Sequence, residues 1–407
     1  MPEFRYKARD RKGALVEAVI EAEDIRKAVA SLREKGYYVV EIRPPGQGLR
    51  REISFRNLGA KRPGLKDVAV FARQMATMIS AGITVTHALE ILEQQMENPT
   101  FRKIAERIRL DIEGGEGLSD AMAKHKVFSR LFVSLVRSGE AVGGIDTVLD
   151  RVATFLEKEM AIRGKIKTAM TYPTIVLVFA MGIAYFMLAF IVPQFANILT
   201  DLGSELPLLT RFLIAVSILL RKGFPLLALL LVGSVVAYRM AYRNPKGRLF
   251  IDRAKLRLPV FGPIIRKNAV ATFCRTMNLL LSGGQTVIEA LDIAKGTANN
   301  GVLEGAIEEA RKAVEQGQTF REGLTRAKGI FPPMMVSMAG IGEETGALDT
   351  MLSKVADFYE REVEEAIGSL SAAIEPLLIV FLGGIVGLIV VGMFLPLFQV
   401  INTLSTM

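Results

Sequence analysis

The sequence predicts a mainly α-helical, polytopic membrane protein with two repeated cytoplasmic helical bundles, three transmembrane helices and a small N-terminal ββαβ unit. Half of the 407 residues are hydrophobic although 23% are charged, and the mean hydropathy is +0.32. Long stretches without charge alternate with charged ones, and the second half of the chain repeats the first. This combination is typical of a membrane protein with large soluble parts.

The predicted N-terminal unit covers residues 1–45. Two short runs that carry apolar residues, Phe4–Ala8 and Val16–Ile20, flank the turn sequence "DRKG". The run "YYVVEI" then follows a segment with a helical pattern. This order predicts two strands, a helix and a returning strand. The basic stretch after it contains Pro and Gly and predicts a linker over 46–65.

Three apolar stretches predict membrane spans. No charged side chain occurs over 168–200 or from Pro376 to the end, and both stretches exceed the ~20 residues that cross a hydrocarbon core. The shorter run "GFPLLALLLVGSVVAY" is preceded by Arg221 and Lys222 and followed by Arg239, whose long side chains can reach the membrane interface. The three predicted spans lie at 170–193, 222–242 and 371–398.

The positive charges predict how these spans are oriented. Twelve lysines and arginines lie over 149–168 and 239–258, whereas the connection between the first two spans carries only three. Because basic residues favour the cytoplasmic side, the N-terminus and two bundles, at 66–169 and 243–370, are predicted to be cytoplasmic. The other segments, a periplasmic or interfacial connection and a short external tail, are predicted at 194–221 and 399–407.

An internal repeat covers most of the chain. The sequence "FARQMATMISAGITVTHALEI" at 71–91 matches "FCRTMNLLLSGGQTVIEALDI" at 273–293 in ten of 21 positions. The offset of 202 becomes 203 near Phe128, and it then aligns "GEAVGGIDTVL" with "GEETGALDTML". A duplication of this length predicts two copies of one structural module. Apolar residues at three- and four-residue steps predict that each copy contains an antiparallel helical bundle.

Few residues support catalysis or cofactor binding. Cys274 is the single cysteine, and the two histidines, His87 and His125, align with Glu289 and Lys328 of the other copy. These residues predict neither a disulfide framework nor a zinc site, and "GKIKT" departs from the phosphate-binding loop pattern. We therefore expect no enzyme activity and no cofactor. Much of the net charge of +9 lies beside the spans, so we also expect no nucleic-acid partner.

The repeat keeps four acidic residues, because Glu140 aligns with Glu343 and Asp146 with Asp349. Asp146 and Asp349 each open an amphipathic helix, and a carboxylate is favourable at a helix N-terminus. Helix capping is therefore one interpretation of the repeated acids. Contact with a partner or with a metal ion is the other.

Glu375 is the only ionisable side chain between Ala366 and Met407. An acid at membrane depth is a candidate functional group. The aligned prolines Pro173 and Pro376 are predicted at the same depth and are candidates for the same reason. The alternative is that Glu375 lies at the cytoplasmic interface, since it aligns with Tyr172.

Small residues recur four positions apart in the first and last predicted spans. Ala180 and Ala184 align with Gly383 and Gly387. Such pairs let helices approach closely in lipid, so these residues predict a helix-packing face. The packing partner is either another helix of the same chain or a second copy of the chain.

These motifs resemble a known family. The sequences "FARQMATMISAG" and "FCRTMNLLLSGG", the repeated "GE…GxxD", and a Tyr-Pro or Glu-Pro before a span that ends with "VPQF" or "LPLF" carry the resemblance. The chain is similar to the inner-membrane platform protein shared by type IV pilus assembly and type II secretion, the F-protein family. The similarity covers residues 66–400, and the N-terminal unit also fits.

The resemblance implies a non-enzymatic hub in the bacterial inner membrane. Such a hub binds a cytoplasmic, hexameric assembly or retraction ATPase and converts its cycle into movement of pilin subunits out of the membrane. The family also implies contact with other inner-membrane pilus alignment proteins and with lipid, and a homo-oligomer. Type II secretion is the alternative to pilus assembly, and a small secondary transporter with duplicated halves is a more distant one.

Two long helical patterns suggest how motion could reach the membrane. The pattern stays helical from about Ile145 to Pro193 and from Leu348 to Pro396. An unbroken helix of this length spans about 70 Å. We therefore expect these helices to carry movement of the cytoplasmic bundles into the bilayer.

Overall fold

The computed structural model describes residues 3–9, 15–22, 25–34, 36–43, 62–201, 207–259, 261–327 and 329–405. Most of the predicted linker 46–65, the "DRKG" turn, part of the segment 194–221 and the last two residues of the predicted tail lie outside these residues. The chain divides into two compact units, residues 1–62 and 63–407.

The first unit, where it is described, contains three strands and one helix. β1 pairs antiparallel with both β2 and β3, so it lies at the centre of the sheet. Ala28 and Leu32 are four positions apart on the helix and are buried, as expected for one apolar helical face. The elements follow in the order β1 (Glu3–Arg9), β2 (Leu15–Glu21), α1 (Ile25–Glu34) and β3 (Tyr38–Arg43).

The second unit is helical throughout its described residues. It begins with α2 (Leu65–Ser80), α3 (Val85–Gln95), α4 (Pro99–Glu113), α5 (Leu118–Ala123), α6 (Arg130–Val142) and α7 (Ile145–Phe186). After a π-helical turn (Met187–Ile191), it continues with α8 (Val192–Asp201), α9 (Leu208–Arg243) and α10 (Pro245–Arg257). It ends with α11 (Phe261–Ser282), α12 (Val287–Lys295), α13 (Gly301–Glu315), α14 (Phe320–Arg326), α15 (Pro333–Thr345) and α16 (Leu348–Ser405).

The last six of these helices repeat the first six in the same order. α2 to α6 form a first bundle with the start of α7, and α11 to α15 form a second bundle with the start of α16. The helix ends are also repeated: Asn98 and Asn300 cap α4 and α13 by accepting a backbone hydrogen bond two residues later, both at 3.0 Å. The duplicated sequence therefore folds as a duplicated structure.

Both bundles contribute to one hydrophobic core. In the first bundle, four phenylalanine rings meet in tilted and edge-to-face pairs, with centroids 5.1 to 6.0 Å apart: Phe71, Phe101, Phe128 and Phe132. The second bundle keeps the rings of Phe273 and Phe331, 5.6 Å apart. Leu303 and Met335 occupy the positions aligned with Phe101 and Phe132, and both are fully buried. The same helix packing is thus built with different side-chain shapes.

The two bundles also contact each other through polar groups. Arg130 at the start of α6 pairs with Asp292 of α12 at 3.0 Å. The hydroxyl of Ser138 in α6 donates to the carbonyl oxygen of Gly283, just after α11. The copies therefore pack side by side within one unit.

Two helices of the described chain are long and apolar enough to cross a membrane: Ile145–Phe195, which continues α7 into α8, and Leu348–Leu395 within α16. The 42 residues of α7 and the 58 residues of α16 correspond to roughly 63 and 87 Å at 1.5 Å per residue. The predicted second span, 222–242, falls within α9, and the apolar stretch identified on that helix, Leu208–Leu220, lies before it. A third span therefore stays a prediction.

The apolar ends of the long helices pack against α9. The Thr210 hydroxyl donates to the carbonyl oxygen of Gly392 at 2.6 Å. A Cβ atom at Gly392 would lie 2.3 Å from the end of the Leu213 side chain, so a larger residue there would require Leu213 to move. Leu213, Ala184, Val192 and Ile389 are buried together at this crossing.

Candidate functional site

In each bundle, one arginine holds the long helix to the first helix of that bundle. In the first bundle, Arg73 of α2 donates two hydrogen bonds to the Glu157 carboxylate of α7, both at 2.7 Å. It also pairs with Asp150 and donates to the Thr154 hydroxyl at 3.0 Å. The bonds to Glu157 raise the pKa of Arg73 above its ordinary value, so this side chain stays charged. The two-point contact fixes the direction of α7 relative to α2.

The second bundle repeats this clamp with Arg275 of α11. Its guanidinium donates to both carboxylate oxygens of Glu360, at 2.9 and 3.0 Å, and also pairs with Asp357. Ser353 completes the set at 3.3 Å. The Arg275 side chain is only 13% exposed, against 35% for Arg73. Burial opposes the charge of Arg275, yet Glu360 and Asp357 keep its pKa above the ordinary value.

The two long helices are joined to each other by ion pairs. Lys158 of α7 lies 2.9 Å from the Glu360 carboxylate of α16, and Lys165 of α7 lies 2.7 Å from Glu364. Glu360 therefore accepts from Arg275 and from Lys158 at once, and α7, α11 and α16 meet at one carboxylate. These contacts make the two long helices and their bundles a connected set.

The aligned glutamates Glu140 and Glu343 contact backbone amides. Glu140 of α6 accepts from the N–H groups of Leu118 and Ser119, the second at 3.0 Å. Glu343 of α15 accepts from Phe320 and Arg321 at 2.7 and 3.1 Å. Each carboxylate thus lies at the N-terminus of a short helix, α5 or α14, where unpaired amides and the helix dipole favour an anion.

The aligned aspartates lie in the first turns of the long helices. Asp146 is half-buried near the start of α7 and Asp349 near the start of α16. Asp349 also accepts a hydrogen bond from Ser282 at 3.3 Å, and its backbone carbonyl accepts one from Asn278 at 2.9 Å. These contacts tie the start of α16 to the end of α11.

The histidines lie apart from these acids. His87 is exposed, and its Nδ1 lies 3.2 Å from Glu90. Burial lowers the pKa of His125 below its ordinary value. Across the described ranges, no group of three or more His, Cys, Asp or Glu side chains is arranged to hold a metal ion.

The three residues predicted at membrane depth differ in their surroundings. Pro173 is buried within α7, whereas Glu375 and Pro376 are exposed on α16. Both helices run through their prolines without a break. Glu375 forms no hydrogen bond or ion pair with the residues that the structure describes.

The four small residues of the predicted packing face are also divided. Ala184 is buried against α16 and α9, and Ala180 is half-buried. Gly383 and Gly387 are exposed, and a Cβ atom at either position would meet nothing within 4 Å. The alanine pair therefore faces the chain itself, while the glycine pair faces outward.

Comparison with known proteins identifies the family. The sequence profile described as "Type II secretion system (T2SS), protein F" matches residues 71–193 and again 273–396. The profile of the type II secretion system protein F, N-terminal domain, matches residues 1–43. The chain belongs to the type II secretion system protein F family. The two matches to its main domain begin at Phe71 and Phe273, where the internal repeat also begins.

Three relatives of this F-family protein match it over nearly the whole length of both chains. "Type IV pilus assembly protein PilC" of Thermus thermophilus is 62% identical over 405 residues, with 100% of both chains covered. The protein of the same name from Myxococcus xanthus is 40% identical, with 99% of this chain and 96% of the relative covered. "Type II secretion system protein F" of Xanthomonas campestris is 34% identical, with 100% of both covered. Family membership and the two apolar helices together indicate an inner-membrane protein.

The arginine clamps of this F-family protein were missed in the sequence, although a signal for them exists. Arg73 and Arg275 are identical in the repeat alignment, and so are their carboxylate partners, Glu157 and Glu360. The second acid of each clamp is not kept in the other copy, because Asp150 aligns with a serine and Asp357 with a threonine. The repeat alignment therefore shows only one of the two acids of each clamp. An identical Arg paired with an identical Glu at a separation of about 85 residues was the available signal.

Proposed function

We propose that this protein is an inner-membrane platform protein of type IV pilus assembly. In this role it binds a cytoplasmic, hexameric ATPase and couples the ATPase cycle to extrusion of pilin subunits. The names of the relatives from Thermus thermophilus and Myxococcus xanthus support it. We propose no enzyme activity and no cofactor for the chain itself.

The proposed topology has three spans, with α9 as the second. The N-terminal ββαβ unit and both bundles then lie in the cytoplasm, where the twelve basic residues beside the spans also lie. The other proposed partners are pilus alignment proteins of the inner membrane, the surrounding lipid and further copies of the chain.

The continuity of α7 and α16 is the observation that carries this proposal. Each helix begins in a bundle core, passes an arginine clamp and continues into an apolar stretch long enough to cross the membrane. A continuous helix transmits displacement along its axis because every turn is hydrogen-bonded to the next. The clamps of Arg73 and Arg275 prevent a bundle from sliding along its own helix. Movement of the bundles by the ATPase would therefore move the membrane ends.

A helix-breaking substitution tests this route. Glu159 lies in α7 between the clamp and the apolar stretch, and a proline there removes a backbone hydrogen bond and kinks the helix. We expect Glu159→Pro to abolish pili in a Thermus thermophilus strain that lacks its own PilC, whereas the wild type and Glu159→Ala restore them. Pili are counted by electron microscopy.

Two further measurements separate failure of coupling from failure of folding. Glu159→Pro should reach the membrane at the wild-type level and should still capture the assembly ATPase in detergent. Pili at the wild-type level with Glu159→Pro would refute the coupling route.

Restoration of type II secretion without pili in a secretion-deficient host would favour the alternative that the Xanthomonas campestris relative supports. Solute uptake by vesicles of the purified protein would instead support a transporter.

A further inference from the structure

The helix α10 exposes one basic stripe that the proposed coupling does not use. Lys246, Phe250, Arg253 and Arg257 occur at steps of four, three and four residues, so they lie on the same helical face. All four are exposed, Phe250 by 75%. Phe250 therefore adds a large apolar ring to a row of three cations.

The opposite face of α10 is fixed to the second bundle. Asp252 is 1% exposed, and its carboxylate accepts from the Gly301 amide at the start of α13, at 2.9 Å. Arg248 forms a two-point contact with Glu304 of α13, one bond at 3.1 Å. These contacts set the rotation of α10, so the basic stripe must point away from the bundle.

Both ends of α10 lie next to segments that approach the membrane. At one end, Asn244 caps α10 directly after α9. A Cβ atom at Gly247 would lie 2.2 Å from the Ala241 carbonyl oxygen, so glycine permits this sharp turn. Lys255 lies 4.8 Å from the centre of the Tyr242 ring, which holds α10 against the end of α9.

At the other end, α10 leads into α11, whose Ile264 packs against Ile367 and Leu370 of α16. Leu370 precedes Pro376, where the uncharged stretch of α16 begins, by six residues, or about 9 Å of helix. Both ends of α10 therefore lie close to the apolar helices α9 and α16, and the proposed topology places α10 along the membrane surface.

The charges of this segment are almost all positive. From Arg239 to Arg257 the chain carries seven lysines and arginines, and Asp252 is the single acid. Because Asp252 is buried and bonded, it does not offset the charge of the exposed stripe. A cationic helical face with an aromatic side chain, beside tyrosines that end an apolar helix, is the pattern of an interfacial membrane helix.

We propose that the exposed face of α10 binds anionic phospholipid headgroups, with Phe250 inserted between them. This inference rests on the proposed function, since it places the end of α9 at the membrane. Binding would anchor the second bundle to the bilayer through Asp252 and Arg248. The second bundle would then move together with the membrane surface when the ATPase acts on the pair.

Tryptophan fluorescence tests the proposal, because the chain contains no tryptophan. Full-length protein is reconstituted into two sets of phosphatidylcholine vesicles. One set contains a low fraction of brominated phosphatidylglycerol, and the other contains the same fraction of brominated phosphatidylcholine. Phe250→Trp reports on α10, Leu229→Trp on α9, and Leu110→Trp, exposed on α4 of the first bundle, is the matched control.

We expect bromine to quench Phe250→Trp and Leu229→Trp but not Leu110→Trp. Brominated phosphatidylglycerol should quench Phe250→Trp more strongly than brominated phosphatidylcholine. Adding Lys246→Gln, Arg253→Gln and Arg257→Gln should remove that preference, with a loss of up to about fivefold for each cation.

Three results would overturn the inference. Quenching of Leu229→Trp without quenching of Phe250→Trp would leave the second span in place and make the stripe a surface for an acidic protein. Quenching of Phe250→Trp without preference for phosphatidylglycerol would remove the headgroup interaction. Absence of quenching for Leu229→Trp would remove the proposed second span and, with it, the anchoring of α10.

Discussion

The two bundles follow the same path through six helices, yet they differ in how deeply their polar contacts are buried. Arg73 is 35% exposed and Arg275 is 13% exposed. In the core, phenylalanines of the first bundle are replaced by Leu303 and Met335 in the second. Three features are kept in both copies in spite of these differences, which indicates that the fold depends on them. They are the arginine clamp, the carboxylate of Glu140 or Glu343 on the fifth helix of each copy, and a glycine with left-handed backbone before each long helix.

Removing the two clamps one at a time should have the largest effect on stability and should affect the two bundles unequally. Arg275→Ala leaves the Glu360 carboxylate, which is 17% exposed, with Lys158 as its remaining partner, and we expect a loss of about 2 kcal/mol in the free energy of unfolding of the second bundle. Arg73→Ala should destabilise the first bundle by about 1 kcal/mol, because water can solvate its acids. Denaturant titration of the detergent-solubilised protein measures both.

A thiol reporter separates the bundles in this experiment. Cys274 is fully buried, and burial raises the pKa of its thiol, so a maleimide dye reacts only when the second bundle opens. Ala72 is the aligned residue and is also fully buried, so Ala72→Cys with Cys274→Ala reports on the first bundle. Equal losses for the two arginine variants would show that the difference in burial has no energetic consequence.

The carboxylates at α5 and α14 provide a second test, with a smaller expected effect. Here the first bundle, not the second, should be the more sensitive one. In the first bundle, Gly117 has no side chain to cap α5, so Glu140 is the acceptor for its first amides. In the second bundle, the Thr319 hydroxyl already accepts from the Glu322 amide at 3.2 Å. We therefore expect Glu140→Ala to cost about 1 to 2 kcal/mol and Glu343→Ala about half of that.

Hydrogen exchange of the amides in α5 and α14 checks this prediction. Protection should fall over 118–123 in Glu140→Ala and less over 320–326 in Glu343→Ala. Glu344→Ala is the control, because the aligned residue of the first bundle is already Ala141. A larger loss of protection in α14 than in α5 would contradict the assignment of Thr319 as a second cap.

The parts of the structure that the sequence predicted are those coded by local patterns. The repeat alignment, the apolar periodicity and the uncharged stretch after Pro376 are each visible in short windows of sequence. The family itself followed from motifs that occur twice. Long helices with few polar interruptions leave little alternative to continuous α-structure.

The parts that were missed depend on contacts between distant residues. Glu140 contacts the amide of Leu118, and a backbone amide has no sequence signature. Arg73 reaches Glu157 across 84 positions, and no local rule pairs them. The helical start of α9 at Leu208 was also missed, because the charged pair of Arg221 and Lys222 interrupts the hydropathy of a helix that the structure continues through them.

The smallest expected effect concerns the glycines before the long helices. Gly143 and Gly346 end α6 and α15 with φ of 82° and 70°, in the left-handed region that costs other residues about 1 to 2 kcal/mol. We expect Gly143→Ala to destabilise the first bundle by about 1 kcal/mol. The Ala72→Cys reporter in the Cys274→Ala background measures this change by denaturant titration.

The next glycine offers a control that the protein itself supplies. Gly144 has φ of −108°, which any residue can adopt, and the second copy has Ala347 in its place. A Cβ atom would meet nothing within 4 Å at Gly143 or at Gly144, so steric contact cannot separate the two substitutions. If Gly144→Ala cost as much as Gly143→Ala, backbone conformation would not explain why one glycine of "VGGID" is repeated and the other is not. A neutral Gly144→Ala beside a destabilising Gly143→Ala would show that the repeat keeps the left-handed glycine to turn the chain into its long helix.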